Sequence, residues 1–138
     1  MEGYKAALTQ YDITIDPSLI IDGEYSFESG VEGAKTLISQ TNRPTAIVSC
    51  NDEIAAGALF AARLMNIDIP KLSITGFEDS PFSRQTWPKL TTAHQPNNKI
   101  AEDAASLLIA QIRNGNDRDI IKLYTPELVV RDSTKRPS

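Results

Sequence analysis

Little in this chain supports covalent or metal chemistry. It holds a single cysteine, Cys50, and a single histidine, His94. One cysteine excludes an internal disulfide and a multi-cysteine metal site. No His or Lys adjoins Cys50 to activate its thiol, so a small buried hydrophobe is expected there. With one histidine and no G-x-S-x-G turn, a Ser-His-acid hydrolase lacks its parts, and His94 reads as a hydrogen-bonded strand-end residue. Phosphate-cradling loops are missing too, because residues 30–35 (GVEGAK) lack the Walker spacing. Lys and Arg number 14 against 18 Asp and Glu, a net charge of -4. That argues against this segment gripping nucleic acid itself, which needs clustered Lys and Arg. No apolar run approaches the roughly 18 residues of a membrane span. No charged, then apolar, then small-residue leader opens the chain. The expectation is a cytoplasmic protein with no cofactor and no metal.

What is present is ordinary globular usage: 138 residues, 41% apolar and 23% charged, enough for one domain with a sizeable core. Tyr4, Ala7, Leu8 and Tyr11 predict an amphipathic helix over 4–11. It starts with no N-cap and no preceding strand, so the sequence reads as a piece of something longer. Leu19-Ile20-Ile21 predicts a short buried strand. Ser26 or Ser29 can cap a helix carrying Val31, Ala34, Leu37 and Ile38. Ala46-Ile47-Val48 predicts the next strand. Asn51 or Asp52 can cap a nearly all-apolar helix over 53–65, which Asn66 stops. A strand over 72–76 ends at Gly76, a Pro-bounded loop follows, and Leu90 to Ala93 is β-like again. Residues 100–112 have helical period, with Gly115 just past the end. Residues 120–124 and 127–130 predict two closing strands, and the polar tail from Asp132 reads as mobile. The alternation implies an α/β fold, an open and largely parallel sheet with flanking helices.

Ligands of such sheets lie outside the carboxyl ends of the strands. Three loops should meet at that rim, carrying Glu24 and Tyr25, Asn51 and Asp52, and Glu78 and Asp79. An aromatic ring beside amide and carboxylate groups suits a sugar or nucleoside, with the ring on its C–H face or base and the polar groups on its hydroxyls. Plainer readings stand beside this. Tyr25 can be a half-buried loop aromatic, Asn51 and Asp52 only a helix cap, and Glu78 and Asp79 a solvated acidic turn. Glu78 and Asp79 could also hold a divalent metal for a phosphoryl substrate, as a metal-dependent enzyme would. Trp87 reads as a packing anchor, and Lys99, Arg113 and Arg118 as a solvated helix face.

Four stretches carry a resemblance: PTAIVSCNDEIAAGALFAA (44–62), IDIPKLSITGFEDS (67–80), PKLTTAHQPNNKIAEDAASLL (88–108) and LYTPELVVRDST (123–134). In this order and spacing they resemble the C-terminal part of bacterial transcription regulators of the lactose- and galactose-repressor family. That resemblance implies the second lobe of a periplasmic-binding-protein-like (type I) effector domain, truncated, with most of the first lobe absent. The second lobe would be mainly residues 3–93 and 124–138, with 94–123 a crossover and helix of the first lobe. By the resemblance Tyr25 stacks on the effector, and Asn51 and Glu78 hydrogen-bond it, Glu78 standing where the family usually has Asp. It also implies a homodimer through 53–65 and Pro81-Phe82, and operator DNA bound only by an absent N-terminal domain. A periplasmic-type sugar receptor is the alternative reading.

Overall fold

The computed structural model describes residues 1–114 and 120–136. Five helices, α1 (Glu2–Gln10), α2 (Phe27–Ile38), α3 (Asp52–Leu64), α4 (Pro81–Gln85) and α5 (Asn97–Asn114), alternate with four strands. The strands are β1 (Ala46–Val48), β2 (Ser73–Glu78), β3 (Thr91–His94) and β4 (Glu127–Val129), in the sheet order β1-β2-β3-β4. β1, β2 and β3 run parallel, with Ile47 beside Ile74 and Glu78 beside His94. β4 is antiparallel to β3, so the sheet is mixed at that end and not parallel throughout.

The core lies between the sheet and the α2–α3 pair. Val31, Ala34, Leu37 and Ile38 of α2 meet Ala55, Ala58, Leu59, Ala61 and Ala62 of α3 over Ile47, Leu72, Ile74 and Leu90. Caps start both helices: the Ser26 hydroxyl accepts from the Ser29 N–H, and Asn51 Oδ1 from the Ile54 N–H. Asn66, just past α3, takes the left-handed conformation that ends a helix (φ 55°). Most of α3 is buried, which answers its apolar sequence, although Phe60 and Leu64 remain exposed.

Several sequence expectations are corrected. Leu19-Ile20-Ile21 forms no strand; Leu19 closes a 3-10 turn capped by Asp16, and Ile21 is exposed. The outer edge of β1 has no strand partner among the described residues, so a strand at 19–21 has nothing to join. Helix α1 forms but buries no residue. The Pro-bounded loop contains α4. Gly76 lies inside β2, not at its end; a Cβ there would stand 2.2 Å from Asp52 Oδ1, so close approach accounts for this glycine. Residues 120–124 form no strand, and Ile121 and Leu123 are exposed. Trp87 and Cys50 are exposed as well, neither a packing anchor nor a buried hydrophobe. Gly115 and Arg118 lie outside the described residues.

The tail departs most from expectation. Ser133 is fully buried: its hydroxyl donates to the Ile74 carbonyl (2.6 Å) and accepts from the Thr91 N–H (2.8 Å), while the Ile74 N–H donates to its carbonyl. This wedge fills the gap where β2 and β3 splay before their pairing begins at Thr75 and Thr91. Helix α5, by contrast, puts no described side chain in the core. Its Asp103 holds the returning chain, accepting from Lys99 (2.8 Å), the Tyr124 hydroxyl (2.6 Å) and Lys122. Those hydrogen bonds, Lys122 foremost, keep the Asp103 carboxyl far below the usual carboxylate range. Lys99 is thus paired and not merely solvated.

Candidate functional site

Parallel register carries the carboxyl ends of β1, β2 and β3 to one rim. Asn51 enters it from β1. Its Oδ1 caps α3, while its amide nitrogen has no protein partner among the described residues. Asp52, the next residue, does not reach the rim. It is 0% exposed, with Oδ1 accepting from the Thr92 hydroxyl (2.6 Å) and Oδ2 from the Ser80 N–H (2.6 Å). Its assignment as an effector contact is therefore corrected. Asp52 ties α3 to β3 and α4, and both oxygens are engaged.

Glu78 ends β2 with φ 105°, and Asp79 follows with φ 57°. Positive φ at a residue with a Cβ costs about 1–3 kcal/mol and persists where neighbours over-determine it. Asp79 supplies that constraint. Its Oδ1 accepts from Arg131 Nη2 (2.6 Å) and the Ser83 hydroxyl (2.8 Å), with Arg84 Nη1 at 3.2 Å. His94 Nδ1 stands 3.3 Å from its Oδ2. Burial pushes the Asp79 carboxyl up, but the Arg131 hydrogen bond and charge, the Ser83 hydroxyl and Arg84 outweigh it and hold the group below the usual carboxylate range. The Glu78 carboxylate is left exposed, with no protein partner among the described residues. The acidic turn is thus half anchor and half free.

Tyr25 sits in the loop into α2, 75% exposed. That end of α2 crosses α3, with Gly30 against Ile54 and Gly57 against Phe27. Asn51 and Glu78 therefore lie at the carboxyl ends of adjacent parallel strands, and Tyr25 lies in the loop before α2. Glu24 is exposed beside it. Sequence reasoning missed Arg131, which fell between the strand expected over 127–130 and the tail, and Thr92, read only as a strand residue. Among the described residues no three His, Cys, Asp or Glu side chains are grouped to hold a metal ion.

Residues 1–134 match the periplasmic binding protein-like domain family. The chain belongs to it. Its relatives place it in the lactose-repressor branch of that family. It is 36% identical over 134 residues to the ribose operon repressor of Haemophilus influenzae, covering 96% of this chain and 40% of that protein. It is 34% identical over 140 residues to the HTH-type transcriptional repressor PurR of the same species, covering 97% and 41%. Among solved structures it resembles a sugar-binding lactose-repressor-family regulator of Escherichia coli complexed with phosphate (TM-score 0.86, 31% identity, 98% of this chain and 49% of that one). A putative regulator of this type from Bacillus cereus aligns with TM-score 0.92 at 26% identity, covering 96% and 48%. The lactose-repressor family member described here thus spans about 40% of the length of its curated relatives, which are repressors and not enzymes. No described helix is long and apolar enough to cross a membrane.

Proposed function

We propose that this chain is the effector-sensing part of a sugar-responsive, cytoplasmic transcription regulator, and that Tyr25, Asn51 and Glu78 contact the effector. The observation that carries the reading is the unpartnered Asn51 amide and Glu78 carboxylate at one sheet rim, beside an exposed tyrosine. Residues 3–93 and 124–138 form one lobe, and 94–123 the crossover and a helix of another. The unburied α5 supports that division. The rim is then half a cleft. In the whole regulator, effector binding between lobes favours one lobe arrangement, which DNA-binding heads read. The effector shifts operator affinity only by its differential affinity for the two arrangements. The acidic chain itself does not bind operator DNA. Homodimers form through the exposed Phe60 and Leu64 of α3 and Phe82 of α4.

Half a cleft binds weakly. Titration of the chain with D-ribose, D-galactose and cellobiose, followed by amide NMR, should give millimolar binding by at least one sugar, with shifts at Asn51 and Glu78. Tyr25→Ala should weaken it about tenfold through lost stacking. Glu78→Gln should weaken it tenfold or more through a lost charged hydrogen bond. Shifts confined to other faces, or equal binding by both variants, would overturn the assignment.

A further inference from the structure

We propose that His94 is a further ligand-facing residue of this rim, and that with Glu78 it selects a vicinal diol. The inference rests on the sugar-sensing reading and names the chemistry of its ligand. Glu78 and His94 are register partners on adjacent parallel strands. Their Cα atoms stand one strand spacing apart, about 4.8 Å. The His94 side chain is 47% exposed, so its ring reaches the rim.

Against that ring lies Asp79. Its carboxylate, anchored by Arg131 and Ser83, stands 3.3 Å from Nδ1. An anion at Nδ1 favours the proton on that nitrogen, and neutral imidazole then carries a bare acceptor at Nε2. The two positive-φ residues Glu78 and Asp79 divide the work. One carboxylate stays free at the rim, and the other lies against the His94 ring. Neither the Glu78 carboxylate nor His94 Nε2 has a protein donor among the described residues. The rim therefore offers two neighbouring acceptors and needs two neighbouring donors. Adjacent hydroxyls of a furanose or pyranose supply them. Adenine, whose N6 donor stands beside the N7 acceptor, matches only one of the two.

His94 is the chain's single histidine, so its imidazole nitrogens can be read without assignment ambiguity. In the ¹⁵N-labelled full chain, imidazole NMR of the neutral form of the ring should show the Nδ1–H tautomer with Nε2 unprotonated. D-ribose, D-galactose or cellobiose at millimolar concentration should shift the Nε2 resonance, and adenine should not. His94→Leu should weaken sugar binding about fivefold to tenfold, while His94→Gln, which keeps an acceptor, should retain most of it. An Nε2–H tautomer overturns the proposal. So does a sugar that shifts the Asn51 and Glu78 amides but leaves Nε2 in place, or one bound equally by His94→Leu. If no sugar perturbs the rim at all, the sensing reading fails and takes the diol assignment with it. The tautomer measurement separates that failure from a wrongly oriented ring.

Discussion

Gly57→Ala is expected to destabilise the fold by about 3 kcal/mol, more than any exposed substitution would. A Cβ at Gly57 would lie 2.1 Å from the Phe27 carbonyl oxygen and 2.9 Å from the Val31 nitrogen. At Gly30 a Cβ would lie 2.1 Å from the Ile54 carbonyl oxygen. These are backbone atoms, so no side chain can turn aside and the two helices must part. Overpacking of a tight core costs about 1–3 kcal/mol and sometimes more. Here separation also uncovers Val31, Ala34, Ala58 and Ala62, whose small size is what lets α2 and α3 approach. The gain in helix propensity, about 1 kcal/mol, opposes this without reversing it. Urea unfolding followed by circular dichroism checks it. Gly33→Ala is the control, since a Cβ there meets only Ile21 at an ordinary 3.5 Å. It should be neutral or stabilise by up to about 1 kcal/mol. Equal midpoints for Gly57→Ala and the parent chain would refute the close-crossing account.

Arg131→Ala should be nearly as damaging, by about 3 kcal/mol. Arg131 and Asp79 are 15% and 11% exposed, and removing one member of a buried pair leaves the other charge unmatched. The guanidinium also donates to the Leu90 carbonyl (2.8 Å), which would lose that partner. The pair has a pH signature whose sign is fixed. The Asp79 carboxyl is held below its unfolded value, so its contribution is present above that value and lost as pH falls through the folded one. Stability of the parent chain should therefore decline as acid takes the solution below about pH 4. Arg131→Ala should lose less over the same interval, because its Asp79 is less depressed. A variant whose acid profile parallels the parent's would sink this reading. The same substitution frees the turn at Glu78, and sugar-induced shifts at the rim should shrink with it.

How far the sequence could be read depended on how local each signal was. Helices α2 and α3 were legible because cap, period and stop fall within each segment: Ser26, Asn51 and Asn66 are where propensity puts them. The strands at 46–48, 73–78 and 91–94 were legible from short apolar runs bounded by polar turns. Leu19-Ile20-Ile21 misled because an apolar run proposes a strand only where a neighbour exists to pair with it. Gly76 misled because a glycine between a strand and two acids looks like a turn, and the Asp52 carboxylate that requires it lies 24 positions away. Asp52 itself was half legible. Its place at the start of α3 is local, whereas its capture by Thr92 and Ser80 is a tertiary fact. Of the candidate site, the places of Asn51 after β1 and Glu78 at the end of β2 were legible, and Tyr25 is exposed in the loop before α2.

The Ser133 wedge bears on how this molecule comes into being. Its hydroxyl bonds span 59 residues to Ile74 and 42 to Thr91. Synthesis runs from the amino end, so α2, α3, β1 and β2 are made long before their lock is. A nascent chain can assemble the helix pair early, but the seam between β2 and β3 stays unsealed until residues 131–135 leave the ribosome. Any ribosome stalled short of that point holds a polypeptide with its central strands ajar, exposed to chaperones and proteases.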